Sequence, residues 1–142
     1  MSTVIQHDCR EELKSLSLRA TPARLGILKL LEASEKPLDV AAMAQYLEKN
    51  KIETDPATVF RIVNILTQKG LIRPIQFNEG KARYDAAIKG DHHHLVCESC
   101  GKVESVSDSF MAEVEKKIQK DKKFLIKSHS LEFYGLCEDC QR

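Results

Sequence analysis

The sequence has little of what marks a membrane-spanning, secreted or strongly charged protein. Its 142 residues include 22 Lys and Arg against 21 Asp and Glu, so the net charge of +1 does not by itself indicate a polyanion or a membrane surface as partner. Its apolar runs fall far short of the roughly 18 residues that cross a bilayer, and its N-terminus lacks the basic and then apolar pattern of a signal peptide. Repeats and low-complexity segments are missing too. We therefore expect a cytoplasmic protein without a membrane segment, built from one or two domains.

The two halves of the chain differ in composition. Residues 1–84 contain 13 Lys and Arg and 10 Asp and Glu, a net charge of +3, whereas residues 85–142 contain 9 and 11, a net charge of −2. Four of the five His and four of the five Cys lie in the second half. This difference indicates two small domains, residues 1–84 and residues 85–142, of which the first is the better candidate for contact with a polyanion.

The first half is predicted to be helical and to end in a β-hairpin. Side-chain caps precede three of the predicted helices, and a proline at the first helical position follows two of these caps. The caps are Thr21, Asp39 and Asp55. Gly70 is placed to end the last helix, and two strand-like runs, residues 71–77 and 82–86, follow around a glycine-containing turn. Helices that end in a two-stranded wing predict a winged helix-turn-helix.

The helix from Pro56 to Lys69 would be the recognition helix of such a domain. When its apolar stripe is buried, a mixed polar and aromatic face is left outside: Thr58, Phe60, Arg61 and Asn64. Arg and Asn make bidentate contacts to guanine and adenine edges in the major groove, and an aromatic ring can cover a thymine methyl group. The alternative interpretation is an ordinary solvated helix face.

Two C-x-x-C pairs give the second half its strongest signal. Cys97 and Cys100 form one pair, and Cys137 and Cys140 form the other. Together they supply four thiolates, the ligand set typical of a structural zinc site. Redox disulfides are the alternative, but two pairs in a cytosolic chain favour a metal. Because 36 residues separate the pairs, a whole subdomain must fold between them, and an ion that joins them would stabilise this small domain.

Three consecutive histidines precede the first cysteine pair. On a strand, His92 and His94 face one side of the sheet, and Asp91 and His93 face the other. Each side then offers ligands suited to Fe(II), Mn(II), Co(II) or Zn(II). Other residues are candidates to complete the two sites: Asp85 and Glu104 for the first side, and Glu113 and His129 for the second.

The rest of the second half is predicted to form an α/β unit. A strand over residues 103–107 precedes a helix that begins after Ser107 or Asp108, and residues 124–136 are predicted to form one or two further strands. Because this unit has more apolar strand residues than a domain of its size can bury, we expect it to dimerise. The predicted fold class is α+β, with an N-terminal winged helix-turn-helix followed by a small α/β dimerisation domain.

Four segments of the sequence resemble the ferric uptake regulator family of metal-dependent transcriptional repressors. The matching segments are LRATPAR (18–24), ATVFRIVN (57–64), HHHLVCESCGKV (92–103) and HSLEFYGLC (129–137). The resemblance implies a homodimer whose winged helix binds palindromic AT-rich operators in double-stranded DNA. It also implies a structural zinc ion and a regulatory Fe(II), Mn(II) or Zn(II) ion, and no catalytic residue.

The resemblance assigns roles to individual positions. The family's structural zinc ligands match Cys97, Cys100, Cys137 and Cys140; its regulatory site matches Asp85, His92 and His94; its dimerisation-domain site matches Asp91, His93 and His129. Arg19 matches a basic residue that enters the minor groove, and Phe60 and Arg61 match a Tyr-Arg pair at the DNA face.

The sequence departs from the family pattern at several ligand positions. Residues 35–39 contain no His, although members commonly supply one there. Ser105, beside Glu104, stands at one acidic position, and Ala112, beside Glu113, stands at another. The predicted regulatory site therefore has three matching ligands, with Glu104 as the candidate for a fourth.

The sequence leaves several alternatives open for the metal ligands and for the function. His7, the only His in the first half, could supply the missing interdomain ligand or could be an ordinary tail residue. The chain could be a peroxide-sensing member of the same family, or a zinc-stabilised interaction module that does not bind DNA. A metal hydrolase that uses the histidine run catalytically would leave the recognition-helix pattern unexplained, so we expect a regulator rather than an enzyme.

Overall fold

The computed structural model describes residues 8–90 and 92–142. It divides into two compact units, the first of which ends at Ile88 while the second runs from Lys89 to Arg142. The sequence predicts this boundary between residues 84 and 85, and the observed break falls slightly later because Asp85 and Ala86 still pair within the hairpin of the first unit. Helices and strands are mixed along the chain, and the α+β class is confirmed.

Four helices make up most of the first unit. They are α1 (Cys9–Ser15), α2 (Pro22–Ala33), α3 (Val40–Lys49) and α4 (Pro56–Gln68). The three predicted caps are confirmed, because Thr21, Asp39 and Asp55 each accept a hydrogen bond from the backbone N–H three residues later. Gly70 follows α4 with a φ of +75°, a conformation that favours glycine. Within residues 8–90 and 92–142, no helix combines the length and the hydropathy that a membrane crossing requires.

The core of the first unit is formed by the apolar faces of these helices. From α4 it takes Val59, Ile62, Val63 and Leu66, the i, i+3, i+4, i+7 pattern of an amphipathic helix. Each fully buried side chain of this size contributes roughly 1.5–3 kcal/mol. Helices α2 and α3 approach closely at Gly26, where a Cβ atom would lie 3.0 Å from Leu47 Cδ2. Because α4 buries its apolar side in this core, its polar side faces outward.

A β-hairpin completes the first unit as its wing. Strand β1 (Ile72–Gln76) pairs with the antiparallel strand β2 (Ala82–Ala86). Leu38 extends this sheet by a single antiparallel bridge, because it exchanges backbone hydrogen bonds of 3.0 and 2.8 Å with Tyr84 of β2. Lys81, in the hairpin turn, donates to the carboxylate of Asp39 at 2.6 Å and so ties the wing to the start of α3. The predicted winged helix-turn-helix is thus confirmed.

The second unit is a three-stranded sheet with one α-helix. Its elements are β3 (His92–Cys97), β4 (Val103–Ser107), α5 (Met111–Lys122) and β5 (Glu132–Gly135). The central strand β3 pairs with β4 in antiparallel fashion and with β5 in parallel. A 3-10 turn, Asp108–Phe110, precedes α5, so the α-helix begins later than predicted.

The predicted strand over residues 124–136 is correct only in its second part. Residues 124–131 form no regular element, and β5 has four residues. The side chains of Phe124 and Leu125 are 65% and 76% exposed. An apolar run becomes a strand only where a neighbouring strand offers hydrogen-bond partners, and in this unit β5 itself occupies the edge beside β3.

The second unit has few buried side chains of its own. Among its described residues, His93, His94 and Cys97 are buried. Many of its large apolar side chains are exposed: Leu95, Phe110, Val114, Ile118, Phe124, Leu125, Phe133 and Leu136. Such an accumulation of exposed apolar residues typically marks a surface that another protein chain covers.

We expect Asp39→Ala to lower the free energy of unfolding by about 1 kcal/mol, because it removes the cap of α3. Lys81→Ala keeps this cap and loses an exposed ion pair, so it should cost less, roughly 0.2–1 kcal/mol. Urea denaturation of the two variants and the unaltered protein at pH 7 measures both values. An Asp39→Ala variant as stable as the unaltered protein would contradict the assigned cap.

The effect of Asp39→Ala should also depend on pH. The hydrogen bond from Lys81, followed by that from the Ala42 N–H, lowers the pKa of Asp39 below its ordinary value. A carboxylate with a lowered pKa stabilises the fold above its ordinary pKa of about 4, and this contribution is lost as the pH falls through the folded-state pKa. Denaturation curves of the variant and the unaltered protein should therefore differ at pH 7 and converge in acid.

Candidate metal centres and nucleic-acid interface

Four cysteines meet at one edge of the sheet in the second unit. Cys97 ends β3, and Cys100 follows in the next turn. Strand β5 runs parallel to β3 with Gly135 beside Cys97, so Cys137 and Cys140 emerge at the same edge. The four sulfur atoms lie within 4.8 Å of one another. The parallel pairing thus brings together two motifs that are distant in sequence.

The spacing of these sulfurs fits a shared metal ion. All five cysteines of the chain are free thiols. Cys100 Sγ and Cys137 Sγ are 3.8 Å apart, far beyond the S–S bond length of about 2.05 Å. Sulfurs that surround a tetrahedral zinc ion at about 2.3 Å lie about 3.8 Å from one another. The donor set and its spacing therefore fit a closed tetrahedral site.

The electrostatic environment of the thiols also favours a cation. Backbone N–H groups, first that of Cys100 and then that of Cys137, lower the pKa of Cys97 to about 6. The Cys137 N–H lies 3.4 Å from Cys97 Sγ. In contrast, hydrogen bonding to the neighbouring sulfur of Cys137 raises the pKa of Cys140 to about 12. A metal ion that binds four thiolates must displace the proton of Cys140.

Two of the histidines share one face of β3. The ring centroids of His92 and His94 are 4.8 Å apart, and His94 is 2% exposed. His92 Nδ1 lies 3.2 Å from the Gly90 carbonyl oxygen. Because a carbonyl only accepts, this contact places the proton on Nδ1 and leaves Nε2 of His92 as the donor atom for a metal.

The structure corrects the predicted role of Glu104. In the β3–β4 register Ser105 is opposite His94, whereas Glu104 is opposite Leu95. Glu104 therefore lies on the other face of the sheet from His92 and His94, where its carboxylate is 3.0 Å from Lys102 Nζ. The prediction that Glu104 completes the His92/His94 site is wrong. Successive residues of β4 alternate between the two faces of the sheet, and Glu104 is on the face away from His92 and His94.

Glu132 is an acidic residue on the His94 face that sequence reasoning missed. It is the partner of His94 in the parallel register of β3 and β5, so the two side chains share a face. The Ser130 hydroxyl donates to its carboxylate at 3.0 Å. Only the pairing of β5 with β3 reveals this neighbour, and nothing in the local sequence around Glu132 specifies that pairing.

Asp85, the third residue of the predicted regulatory set, belongs to the first unit. It lies on β2, is 1% exposed and accepts a hydrogen bond from the Ala86 N–H at 2.9 Å. A buried carboxylate is uncommon unless charges or hydrogen bonds compensate it. Its role as a metal ligand stays a prediction.

A second pair of imidazoles lies on the other face of β3. His93 Nε2 and His129 Nε2 are 3.2 Å apart. The Phe110 ring lies beside them, with its centroid 5.8 Å from that of His93. The predicted partner Asp91 lies outside the described residues, as does His7.

The carboxylate that reaches this pair is that of Glu115, not the predicted Glu113. Glu115 Oε1 contacts His129 Nδ1. Residues two apart on an α-helix point about 200° away from each other, so only one of these glutamates can face His129. Glu115 is one turn after Ala112, the position where the family supplies an acid, and thus shares its helix face. Counting a full turn from Ala112 would have identified Glu115 from the sequence.

Four of the five predicted DNA-binding residues belong to α4. Phe60 is 55% exposed, and Arg61 and Asn64 are exposed as well. Thr58 is half-buried and donates its hydroxyl to Asp55 at 3.0 Å, so part of its hydrogen-bonding capacity is used within the helix cap. Arg19 is exposed before α2. The exposed face of α4 has the composition of a helix that reads bases, and the DNA contacts themselves stay predictions.

These features define a winged-helix protein with a metal-binding α/β unit. The sequence profile of the ferric uptake regulator family matches residues 15–134. The chain belongs to the ferric uptake regulator family.

Relatives match over nearly the whole chain. The ferric uptake regulation protein of Bacillus subtilis (strain 168) is 36% identical over 135 residues, which cover 92% of this chain and 91% of that protein. The peroxide-responsive repressor PerR of Staphylococcus saprophyticus is 30% identical over 140 residues, which cover 96% of this chain and 94% of that protein. The crystal structure of the Vibrio cholerae ferric uptake regulator (Fur) superposes with a TM-score of 0.78 at 30% identity, covering 92% of this chain and 100% of that one.

We expect Cys137→Ser to lower the bound metal by one equivalent per chain, because three thiolates do not close a tetrahedral site. Metal analysis of the purified protein measures this. Cys9→Ala is the matched control: Cys9 is buried in the first unit, where its thiol lies 3.4 Å from Glu32 Oε2. This control should lose some stability and keep its metal. Full metal content in Cys137→Ser would contradict the four-cysteine site.

Proposed function

We propose that this protein is a metal-responsive transcriptional repressor that binds palindromic AT-rich operators in double-stranded DNA as a homodimer. A divalent cation held by Asp85, His92 and His94 favours the DNA-binding conformation. The observation that carries the proposal is the imidazole pair of His92 and His94 on one face of β3, in a chain whose other unit is a winged helix of the ferric uptake regulator family.

The two kinds of ligand set suit different metals. Four thiolates favour Zn²⁺ in a structural role, since softer ligands and tetrahedral geometry suit this ion. Imidazole and carboxylate ligands suit Fe(II), Mn(II) and Zn(II), and the supply in the cell decides among them. We therefore assign structural zinc to the cysteines and a regulatory Fe(II), Mn(II) or Zn(II) ion to the Asp and His ligands.

Regulation follows from the position of the ligands in the chain. Asp85 belongs to the first unit, and His92 and His94 belong to the second. A cation that binds all three favours the conformations in which they converge, so it restricts the orientation of the recognition helix. A shift from 1% to 99% of the binding-competent form requires about 5.5 kcal/mol of preference. With no His in residues 35–39 and Ser105 at an acidic position, we expect weaker coupling than a complete ligand set gives.

Dimerisation gives the second unit the core that it lacks alone. The side chains of Val114 and Ile118 on α5 and of Phe133 on β5 are 43–45% exposed. A second copy of the chain would bury this surface at roughly 25 cal/mol per Å² of apolar area. A dimer also presents two recognition helices, which a palindromic operator requires.

Helix α4 enters the major groove in this proposal. Arg61 and Asn64 contact base edges, and Phe60 packs against thymine methyl groups, which are frequent in AT-rich DNA. Arg19 contributes from the minor groove, where AT-rich sequences concentrate negative potential. The near-neutral net charge of +1 indicates that this local face, and not the protein as a whole, attracts DNA.

A peroxide-responsive repressor is the second candidate function. It is favoured by the similarity to the peroxide-responsive repressor PerR of Staphylococcus saprophyticus, which covers 96% of this chain. In this alternative, oxidation of the iron-loaded protein releases the operator. Loss of operator binding after peroxide treatment of the iron form, but not of the manganese form, would favour it.

We expect a divalent cation to tighten operator binding by about 5–150-fold, the usual range of allosteric coupling. Fluorescence anisotropy with DNA from the protein's own upstream region, with and without Fe(II), Mn(II) or Zn(II), measures this. The cysteine-bound metal must be intact in every sample. Equal affinity in all conditions would contradict a metal-responsive regulator.

Two variants make this measurement specific for the His92/His94 face. His92→Ala should abolish the response to metal because it removes a proposed ligand. Glu104→Ala is the matched control, since Glu104 lies on the opposite face of the same sheet, and it should keep the response.

Arg61→Ala should weaken operator binding by about 1–3 kcal/mol and relax specificity if Arg61 reads a base. If it contacts only phosphate, the slope of affinity against salt should fall by about one instead. Anisotropy on the operator and on versions with single base changes, each at several salt concentrations, separates the two. Unchanged affinity, specificity and salt dependence would place Arg61 outside the interface.

A further inference from the structure

The second imidazole pair, His93 and His129, lies on the opposite face of β3 from His92 and His94. Each of its rings also contacts an oxygen atom through Nδ1. His93 Nδ1 lies 3.2 Å from the carbonyl oxygen of Leu131. A carbonyl oxygen only accepts, so His93 carries its proton on Nδ1. Its Nε2 therefore presents a lone pair, and this atom faces His129.

The ring of His129 is also oriented by a contact at its Nδ1. Its Nδ1 contacts the carboxylate of Glu115, and a carboxylate accepts the proton of that nitrogen. This contact leaves Nε2 as the nitrogen through which His129 can bind a cation. The side chains of His129 and Glu115 are 18% and 29% exposed, so both are largely shielded from competing water.

His93 Nε2 and His129 Nε2 lie 3.2 Å apart. Two nitrogen ligands at about 2.0–2.1 Å from a tetrahedral zinc ion lie about 3.4 Å apart, close to the observed spacing. The chemistry of this donor pair thus fits a divalent cation. The carboxylate of Glu115 lies on the far side of the His129 ring from that position.

We infer that Glu115 is the positioning residue of this second metal site: it holds His129 in the tautomer that binds the cation through Nε2, and it does not bind the cation itself. This arrangement, metal to imidazole to carboxylate, is the common way in which proteins orient histidine ligands. The inference rests on the proposed function for the presence of a metal in this domain. It deepens that function by assigning a role to a residue outside the predicted ligand set.

Cobalt(II) is a suitable probe, because its visible absorption reports the ligands that surround it. The titration uses full-length protein that carries His92→Ala, to disable the regulatory site, and that retains its cysteine-bound metal. In this background Glu115→Ala should weaken cobalt binding by about 10–100-fold, the usual effect of losing such a partner. Glu115→Gln should lose much less, because its amide oxygen still accepts from His129 Nδ1. Glu113→Ala is the matched control on the same helix and should bind cobalt normally.

The nitrogen NMR shifts of the His129 ring give a readout independent of binding. In the metal-free protein the ring should be protonated on Nδ1, and Glu115→Ala should convert it to a mixture of tautomers. If Glu115 were a direct ligand, Glu115→Gln would bind cobalt as weakly as Glu115→Ala. That result, or normal binding by Glu115→Ala, would overturn the inference.

The outcomes also distinguish this inference from the proposed function. If metal leaves operator affinity unchanged while Glu115→Ala still weakens cobalt binding, the proposed regulation fails and the role of Glu115 stands. If the His92→Ala protein binds no cobalt beyond its cysteine-bound metal, the inference fails, whatever the operator experiment shows.

Discussion

The parallel pairing of β5 with β3 is the constraint on which the second unit depends. It brings Cys137 and Cys140 to the edge where β3 delivers Cys97 and Cys100, and it sets Glu132 beside His94 on one face. The chain between these strands supplies α5, whose Glu115 reaches His129. Because the unit buries few of its own apolar side chains, this pairing lacks the support of a large core. The metal ion proposed for the four thiolates would supply a substitute, since it would join the two strand ends directly.

The two units reach stability by different means, and this division fits their proposed roles. The first unit has a conventional core beneath α4, with capped helices and a wing that is tied to α3 through Lys81 and Asp39. Such a core holds the outer face of α4 in a fixed shape, as the proposed contact with DNA requires. In the second unit, His93 and His94 are buried at positions that apolar residues usually occupy in a protein core. Ligand binding would therefore change the second unit and leave the proposed DNA-contacting face of α4 intact.

Local signals in the sequence predicted most of the fold. The caps Thr21, Asp39 and Asp55, the stripe of α4 and the hairpin all depend on neighbouring residues, and the structure confirms them. The errors arise where a long-range pairing decides. The sequence places Glu104 with His92 and His94, but its orientation depends on the register of β4 with β3, which puts it on the other face. Glu113 is the predicted ligand because it stands beside Ala112 in the sequence, but it is Glu115, one helical turn after Ala112, that contacts His129. Residues 124–131 resemble a strand in composition, yet no neighbour in their own unit pairs with them.

The order of strands also has a consequence for biosynthesis. The first unit closes through contacts among residues up to Ile88, so it can fold as soon as this stretch has left the ribosome. The sheet of the second unit waits for Glu132 to Gly135, and the last two thiols come later still. Contacts of such long sequence separation form slowly. During translation a winged helix would therefore exist before the thiolate cluster that supports its companion unit, and metal capture would complete the maturation of the nascent chain.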